Sequence, residues 1–136
     1  MIELTNSVAQ TVAPGAAVTF DKVVLRSGCG ECRDARIPTS VKLTGNGGLY
    51  KIEFSGNIAS STANTPVQLA IALGPVALPE TVMVSTTSTA NAFNNVGTGT
   101  YVRNDCCDFD RISVVNTGTA PVLLSANMNL RIARRG

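Results

Sequence analysis

The stretch GLYKIEFSG, residues 48–56, indicates the fold of this chain more clearly than any other. Its large apolar residues alternate with polar ones, so that Tyr50, Ile52 and Phe54 face one side and Lys51 faces the other. Alternation with a period of two residues is typical of a strand with one buried face. The stretch therefore predicts a β-strand that covers part of a hydrophobic core.

The same period recurs in VQLAIAL, residues 67–73, and in VLLSANMNLRI, residues 122–132, each of which we expect to form one strand. Clusters of Gly, Pro, Asn and Ser separate such segments, and helical spacing is absent over any useful length. The stretch NNVGTGT, residues 94–100, is compatible with either a Gly-rich loop or a weak strand. The pattern predicts an all-β chain of about nine short antiparallel strands in a two-sheet sandwich or jelly roll.

Size and composition bound the function. A chain of 136 residues is expected to form a single domain, residues 1–136. Only 15% of its residues are charged, so part of its apolar surface is expected to be covered by other copies of itself. A net charge of +2 predicts no nucleic-acid partner. The start MIELTNSVAQ lacks a secretory-signal pattern, and no apolar run is long enough to predict a membrane span.

Two segments suggest where a subunit interface would lie. In VQLAIAL, one face carries Ala70 and Ala72, which are too small to fill a core and too apolar for open water. Either another subunit or a loop of the same chain is expected to cover this face. The last strand mixes Asn and Arg with apolar residues, as in a wet inter-subunit surface. The predicted interface residues are Gln68, Ala70, Ala72, Asn127, Asn129 and Arg131.

Three stretches carry a resemblance to a known family: GLYKIEFSGNIA, VQLAIALGPVALPET and DRISVVNTGTAPVLLSANMNLRIARR. Together they are similar to trimeric jelly rolls of the tumour-necrosis-factor (TNF) and complement-head type. The likeness is to the bacterial and phage versions, such as exosporium collagen-like glycoprotein heads and structural proteins of clostridial phages. The resemblance implies a two-sheet jelly roll of about ten strands. It also implies a tight homotrimer with a structural or receptor-binding role.

The absence of a collagen-like Gly-x-y stalk favours a phage particle over a spore filament. We therefore expect a structural protein of a phage or prophage particle, either a capsid decoration or a fibre component. It would be made in the bacterial cytoplasm, lie on the virion surface and contact other particle proteins such as a capsid protein. The alternative is a receptor- or carbohydrate-binding head on a phage tail or spore surface, with Phe93, Tyr101 and Phe109 as the candidate aromatic contacts for a host-surface glycan.

Enzyme chemistry is not expected. The chain has no histidine for acid–base work, and it contains neither a nucleophile elbow nor a Gly-rich phosphate cradle before a helix. We also expect no cofactor.

Four cysteines occur in two polar segments: Cys29, Cys32, Cys106 and Cys107. Disulfides between the two segments would each close a loop of about 75 residues, worth about 4 kcal/mol in the chain-entropy model. Zinc is a less favoured alternative, because the partner of a Cys-x-x-Cys half-site is normally a second such half-site or a histidine pair. In that case the neighbouring aspartates would supply oxygen ligands: Asp105, Asp108 and Asp110. Free thiols are the third possibility that the sequence leaves open.

Overall fold

The structure is a computed structural model, and it describes residues 1–26, 31–32 (backbone only), 38–43, 48–104 and 111–135. Within these residues the chain forms two sheets, and every strand pairing is antiparallel. Strands are numbered along the chain. The first sheet contains β1 (Ile2–Thr5), β2 (Gln10–Val12), β3 (Lys22–Arg26), β6 (Leu49–Ala59), β10 (Asn94–Arg103), β12 (Val122–Leu124) and β13 (Asn129–Arg134). The second contains β4 (Glu31–Cys32), β5 (Val41–Leu43), β7 (Val67–Leu73), β8 (Val76–Ala77), β9 (Met83–Ser85) and β11 (Arg111–Val115).

Strand β6 is the centre of the first sheet. Strand β10 pairs with it along its length, from Asn94 opposite Ile58 to Arg103 opposite Leu49. Along its other edge, β12 and β13 lie end to end. Strands β1 and β3 continue the sheet beyond β13, and β2 continues it beyond β12. The chain termini are thus tied into the sheet that β6 organises.

Strand β7 pairs along both of its edges in the second sheet, as β6 does in the first. Strand β11 lies along one edge of it, and β8 and β9 lie end to end along the other. A single 3₁₀ turn, Pro79–Thr81, joins β8 to β9. The loop after β11 is held by the buried Asn116, whose Nδ2 donates to the carbonyl oxygens of Val12 and Ala120, each at 2.9 Å. The motif N-T-G that ends this strand therefore closes a turn.

The core lies between the sheets and confirms the period-two prediction. The buried residues of β6 include Tyr50, Ile52 and Phe54, and those of β7 include Leu69 and Ile71. Because the polar residues of β6 alternate with these, they point away from the core on the outer side of the first sheet. The all-β prediction is confirmed.

One predicted element differs. The stretch 122–132 forms two strands, β12 and β13, because residues 126–127 make a turn between them. Asn127 has φ 65°, a left-handed conformation that ends an extended strand. Met128, Leu130 and Ile132 nevertheless remain buried, as the alternation predicts.

Candidate subunit interface on the first sheet

The outer side of the first sheet carries a mainly polar surface, which we call the polar face. Strand pairing places its residues in rows across β10, β6, β13 and β1. Its members are Glu3, Lys51, Glu53, Ser55, Gly97, Gly99, Tyr101, Asn129 and Arg131. In the central row, Gly99 lies opposite Glu53, Glu53 opposite Arg131, and Arg131 opposite Glu3. The row alternates negative and positive side chains beside a residue that has no side chain.

The charged residues of the polar face are paired with one another. Lys51 Nζ lies 3.2 Å from Glu53 Oε1, and Arg131 Nη2 lies 3.6 Å from Glu3 Oε1. Asn129 Nδ2 donates to the same Glu3 oxygen at 2.5 Å. Two positive and two negative side chains sum to zero, so the centre of this face would not repel a second copy of itself.

A trough of about 570 Å³ runs over this face. We call it the glycine trough, because Gly97 and Gly99 of β10 leave its floor without side chains. Ser55, Glu53 and Asn129 line its β6 and β13 side, and Tyr101 stands at one end. The trough exists because two positions of a regular strand carry no Cβ on the outward side.

The rest of the chain does not require these two glycines. Neither adopts a left-handed φ, and a Cβ added at either would meet only ordinary contacts, the shortest being 3.4 Å at Gly99. Gly56 of β6 is different, because a Cβ there would lie 2.9 Å from Met128 Cβ. Gly56 is thus needed for packing inside the subunit, whereas the open space over Gly97 and Gly99 faces outward.

The six predicted interface residues do not form one surface. Asn129 and Arg131 lie on the polar face, whereas Gln68, Ala70 and Ala72 belong to β7 of the second sheet. Ala70 and Ala72 expose 0% and 2% of their surface in the single chain, so a second copy could cover almost nothing more of them. This burial favours the alternative that the same chain covers them, and their assignment to a subunit interface stays a prediction.

The other two predicted interface residues have local partners or roles. Gln68 is half-buried, and its Nε2 donates to Thr117 Oγ1 at 2.9 Å across the second sheet. Asn127 is exposed in the turn between β12 and β13, where its backbone N–H donates to the carbonyl oxygen of Asn6 at 2.8 Å. Neither lies in the rows of the polar face.

The aromatic candidates for a glycan site are separated. Tyr101 lies on the polar face, whereas Phe93 precedes β10 at the opposite end of that strand and lines a different groove with Thr11 and Leu123. Eight residues of strand separate the two by roughly 26 Å. Phe109 lies outside the described residues. The structure therefore does not bring Phe93 and Tyr101 together.

The cysteine predictions are outside what the structure describes. Cys29, Cys106 and Cys107 lie outside the described residues, and only the backbone of Cys32 is placed, in β4. The same holds for the candidate oxygen ligands Asp105, Asp108 and Asp110. Among the described residues, no three Cys, Asp or Glu side chains come together in a way that could hold a metal ion. The disulfide and zinc hypotheses stay predictions.

Several residues of the polar face were not predicted from the sequence. Glu3 and Lys51 reach the face only through strand pairing, which no local pattern reveals. Gly97 and Gly99 carried a signal, since a glycine inside a strand often marks a close approach by another surface. That signal was obscured because NNVGTGT also fitted a loop, whereas it forms the first part of β10.

No helix among the described residues is long and apolar enough to cross a membrane.

Comparison with known proteins identifies the fold. Neither a protein-family model nor a curated protein sequence matches the chain. Among solved structures, murine APRIL is similar over 98% of this chain and 97% of its own, with a TM-score of 0.69 and 14% identity. The Eiger TNF of S. frugiperda is similar over 99% of this chain and 91% of its own, with a TM-score of 0.68 and 13% identity.

A viral protein shares the same fold. The PRD1 vertex protein P5 is similar over 99% of this chain and 96% of its own, with a TM-score of 0.54 and 15% identity. At such identities the likeness concerns the fold alone. The chain is a TNF-like jelly-roll sandwich, and the fold predicted from the sequence resemblance is confirmed.

Proposed function

We propose that this protein is a homotrimeric structural component of a phage or prophage particle, acting as a capsid decoration or as part of a fibre. The observation that carries the proposal is a fold shared with a phage vertex protein, joined to an outward face built like an interface. The sequence resemblance to clostridial phage structural proteins supports the same role. Under this proposal the protein lies on the virion surface after synthesis in the bacterial cytoplasm.

The polar face is the surface through which the subunits would associate. It combines mutually paired charges, amides and hydroxyls with one exposed aromatic residue, Tyr101. Tyrosine and arginine are enriched in interface centres, and polar contacts with trapped water are common there. Association through this face would leave the outer side of the second sheet available to other proteins.

A second surface supports attachment to a capsid protein. Val76 of β8, Val84 of β9 and Val82, which precedes β9, are exposed along the outer edge of the second sheet. Exposed apolar residues along one sheet edge offer a contact surface to another protein. A decoration protein needs such a surface apart from the one that joins its own subunits.

Native mass spectrometry of the purified protein tests the trimer. The expected mass is about 42 kDa, three times the 14.1 kDa chain. Immunogold electron microscopy of particles released by prophage induction from the source bacterium, with antibody to this protein, tests the particle role. A 14.1 kDa species at all concentrations would contradict the trimer, and unlabelled particles would contradict the particle role.

A further inference from the structure

We infer that the phenol ring of Tyr101 from one copy lies in the glycine trough of the next copy around the threefold axis. The inference rests on the proposed self-association and adds which side chain meets which surface. It assigns a role to Gly97, Gly99 and Tyr101, which neither the fold nor packing within the subunit explains.

Glycine is an unfavourable residue inside a strand. A glycine inside a strand loses more backbone freedom on folding than an alanine does, and it contributes no side chain to cross-strand pairs. Gly97 and Gly99 thus lower the stability of the strand, although an alanine at either position would clash with nothing in the same chain. Packing within the subunit does not explain the open space above these glycines. We therefore infer that a group from another molecule fills this trough of about 570 Å³.

Tyr101 is the side chain that we place in this space. Tyr101 exposes 58% of its surface and is the aromatic residue on this face. Its described contact is a distant one, with Lys51 Nζ 6.0 Å from the ring centroid. Burying such a ring stabilises an interface, and its hydroxyl needs a hydrogen-bonding partner once buried. Ser55 and Asn129 line the trough and offer such partners.

Tyr101 stands at one end of the trough that it helps to line, so a contact between the ring of one copy and the trough floor of the next joins two different parts of one face. Repeated head to tail, such a contact closes into a ring, and a threefold ring is one solution. A twofold dimer would make the same contact twice, with each ring in the trough of the other copy, so the mass of the assembly distinguishes the two arrangements. The position of Tyr101 beside the trough is compatible with the trimer that the proposed function requires.

A double-mutant cycle on the trimer tests this contact. Gly99→Ala and Tyr101→Ala are made singly and together, and the dissociation constant of the trimer is measured by sedimentation velocity over a dilution series. Each single change is expected to weaken the trimer about tenfold or more. In the Tyr101→Ala protein, Gly99→Ala should cost less than about threefold, because the ring it obstructs is gone. Tyr101→Leu replaces Tyr101→Ala if the latter does not assemble.

Two controls separate this contact from other effects. Phe93→Ala removes the exposed aromatic residue away from the trough and should leave the dissociation constant unchanged. Thermal unfolding of the dissociated subunit should show that Gly99→Ala preserves or raises its stability. Equal penalties for Gly99→Ala in both backgrounds, or no penalty at all, would overturn the Tyr101 contact while the wild-type trimer stands. A monomeric wild type would overturn the proposed function as well.

Discussion

The Oγ of Thr81 lies 2.9 Å from the backbone nitrogen of Ile71 and accepts its hydrogen bond. This contact bridges the gap between β8 and β9, which pair with β7 on either side of Ile71. The hydroxyl also donates to the carbonyl oxygen of Leu78 at 2.7 Å, and the Leu78 N–H donates to the carbonyl oxygen of Ile71 at 2.9 Å. A single buried side chain thus bonds the backbone of β7 at the point where neither β8 nor β9 pairs with it.

Replacing this hydroxyl should destabilise the fold. Thr81→Val keeps the shape but leaves the Ile71 N–H and the Leu78 carbonyl without this partner in a site where Thr81 is fully buried. We expect a loss of about 1–3 kcal/mol in the free energy of unfolding, measured by urea denaturation at fixed protein concentration. Thr86→Val, at an exposed position just after β9, is the matched control and should be nearly neutral. Equal stability of the two variants would contradict the bridge.

The fold was accessible from the sequence because its signal is local. In β6 the burial of Tyr50, Ile52 and Phe54 follows directly from alternation, which any strand with one buried face must show. The pairing of Glu3 with Arg131 was not accessible, because it joins residues from opposite ends of the chain and depends on which strands become neighbours. Alternation describes one strand at a time.

The size of a residue does not predict which surface covers it. The small size of Ala70 and Ala72 correctly indicated a covered surface, but residue size does not say whether the cover comes from the same chain or from another. Both alanines are already buried in the single chain, which favours cover from the same chain. For Gly97 and Gly99 the reverse holds, because only the placed backbone shows that their own subunit leaves the space above them open.

Charge reversal on the polar face should weaken assembly. Arg131→Glu would place a third carboxylate between Glu3 and Glu53, the two residues that pair with Arg131. Like charges directly opposite on neighbouring strands are unfavourable, by roughly 0.2–1 kcal/mol for each pair. We expect the trimer to be weakened in native mass spectra at low salt, with partial recovery at high salt as the repulsion is screened.

Glu80→Lys is the control for this experiment. It changes the net charge by two units, as Arg131→Glu does but with the opposite sign, at an exposed position in the 3₁₀ turn of the second sheet. A similar loss of trimer in both variants would indicate that a charge reversal anywhere on the surface weakens assembly and would contradict a specific role for the polar face. The double variant Glu3→Arg/Arg131→Glu restores the opposite-charge pair within the subunit and should recover part of the assembly.

Asn127 should act through its backbone conformation alone. Its φ of 65° suits glycine, so Asn127→Gly is expected to change the unfolding free energy by only a few tenths of a kcal/mol. Asn127→Val should cost about 1–2 kcal/mol, because a β-branched residue disfavours the left-handed region. Both effects are read from thermal unfolding. The trimer population of Asn127→Gly should equal that of the wild type. A loss of trimer at unchanged stability would instead support the predicted role of the Asn127 side chain in the interface.

The register of the second sheet shows whether the chain can bring the two cysteine segments together. Lys42 pairs with Cys32 on one side and with Arg111 on the other, so these two backbones are two strand spacings, roughly 10 Å, apart. Cys107 precedes Arg111 by four residues, and four residues of extended chain span up to roughly 14 Å. The chain length therefore allows the 29/32 and 106/107 cysteines to be joined. Such bonds suit a particle exposed to an oxidising medium.

Mass spectrometry of the denatured protein without reductant measures this state. We expect the loss of four hydrogens per chain, and peptide mapping should join a Cys29 or Cys32 peptide to one that contains Cys106 or Cys107. Reduction should then lower the unfolding temperature, since each closed loop contributes about 4 kcal/mol in the chain-entropy model. Four free thiols with excess native mass would indicate bound metal instead. Four free thiols at the bare chain mass would contradict both the disulfides and the zinc site, because neither sulfur–sulfur nor sulfur–metal bonds would then remain.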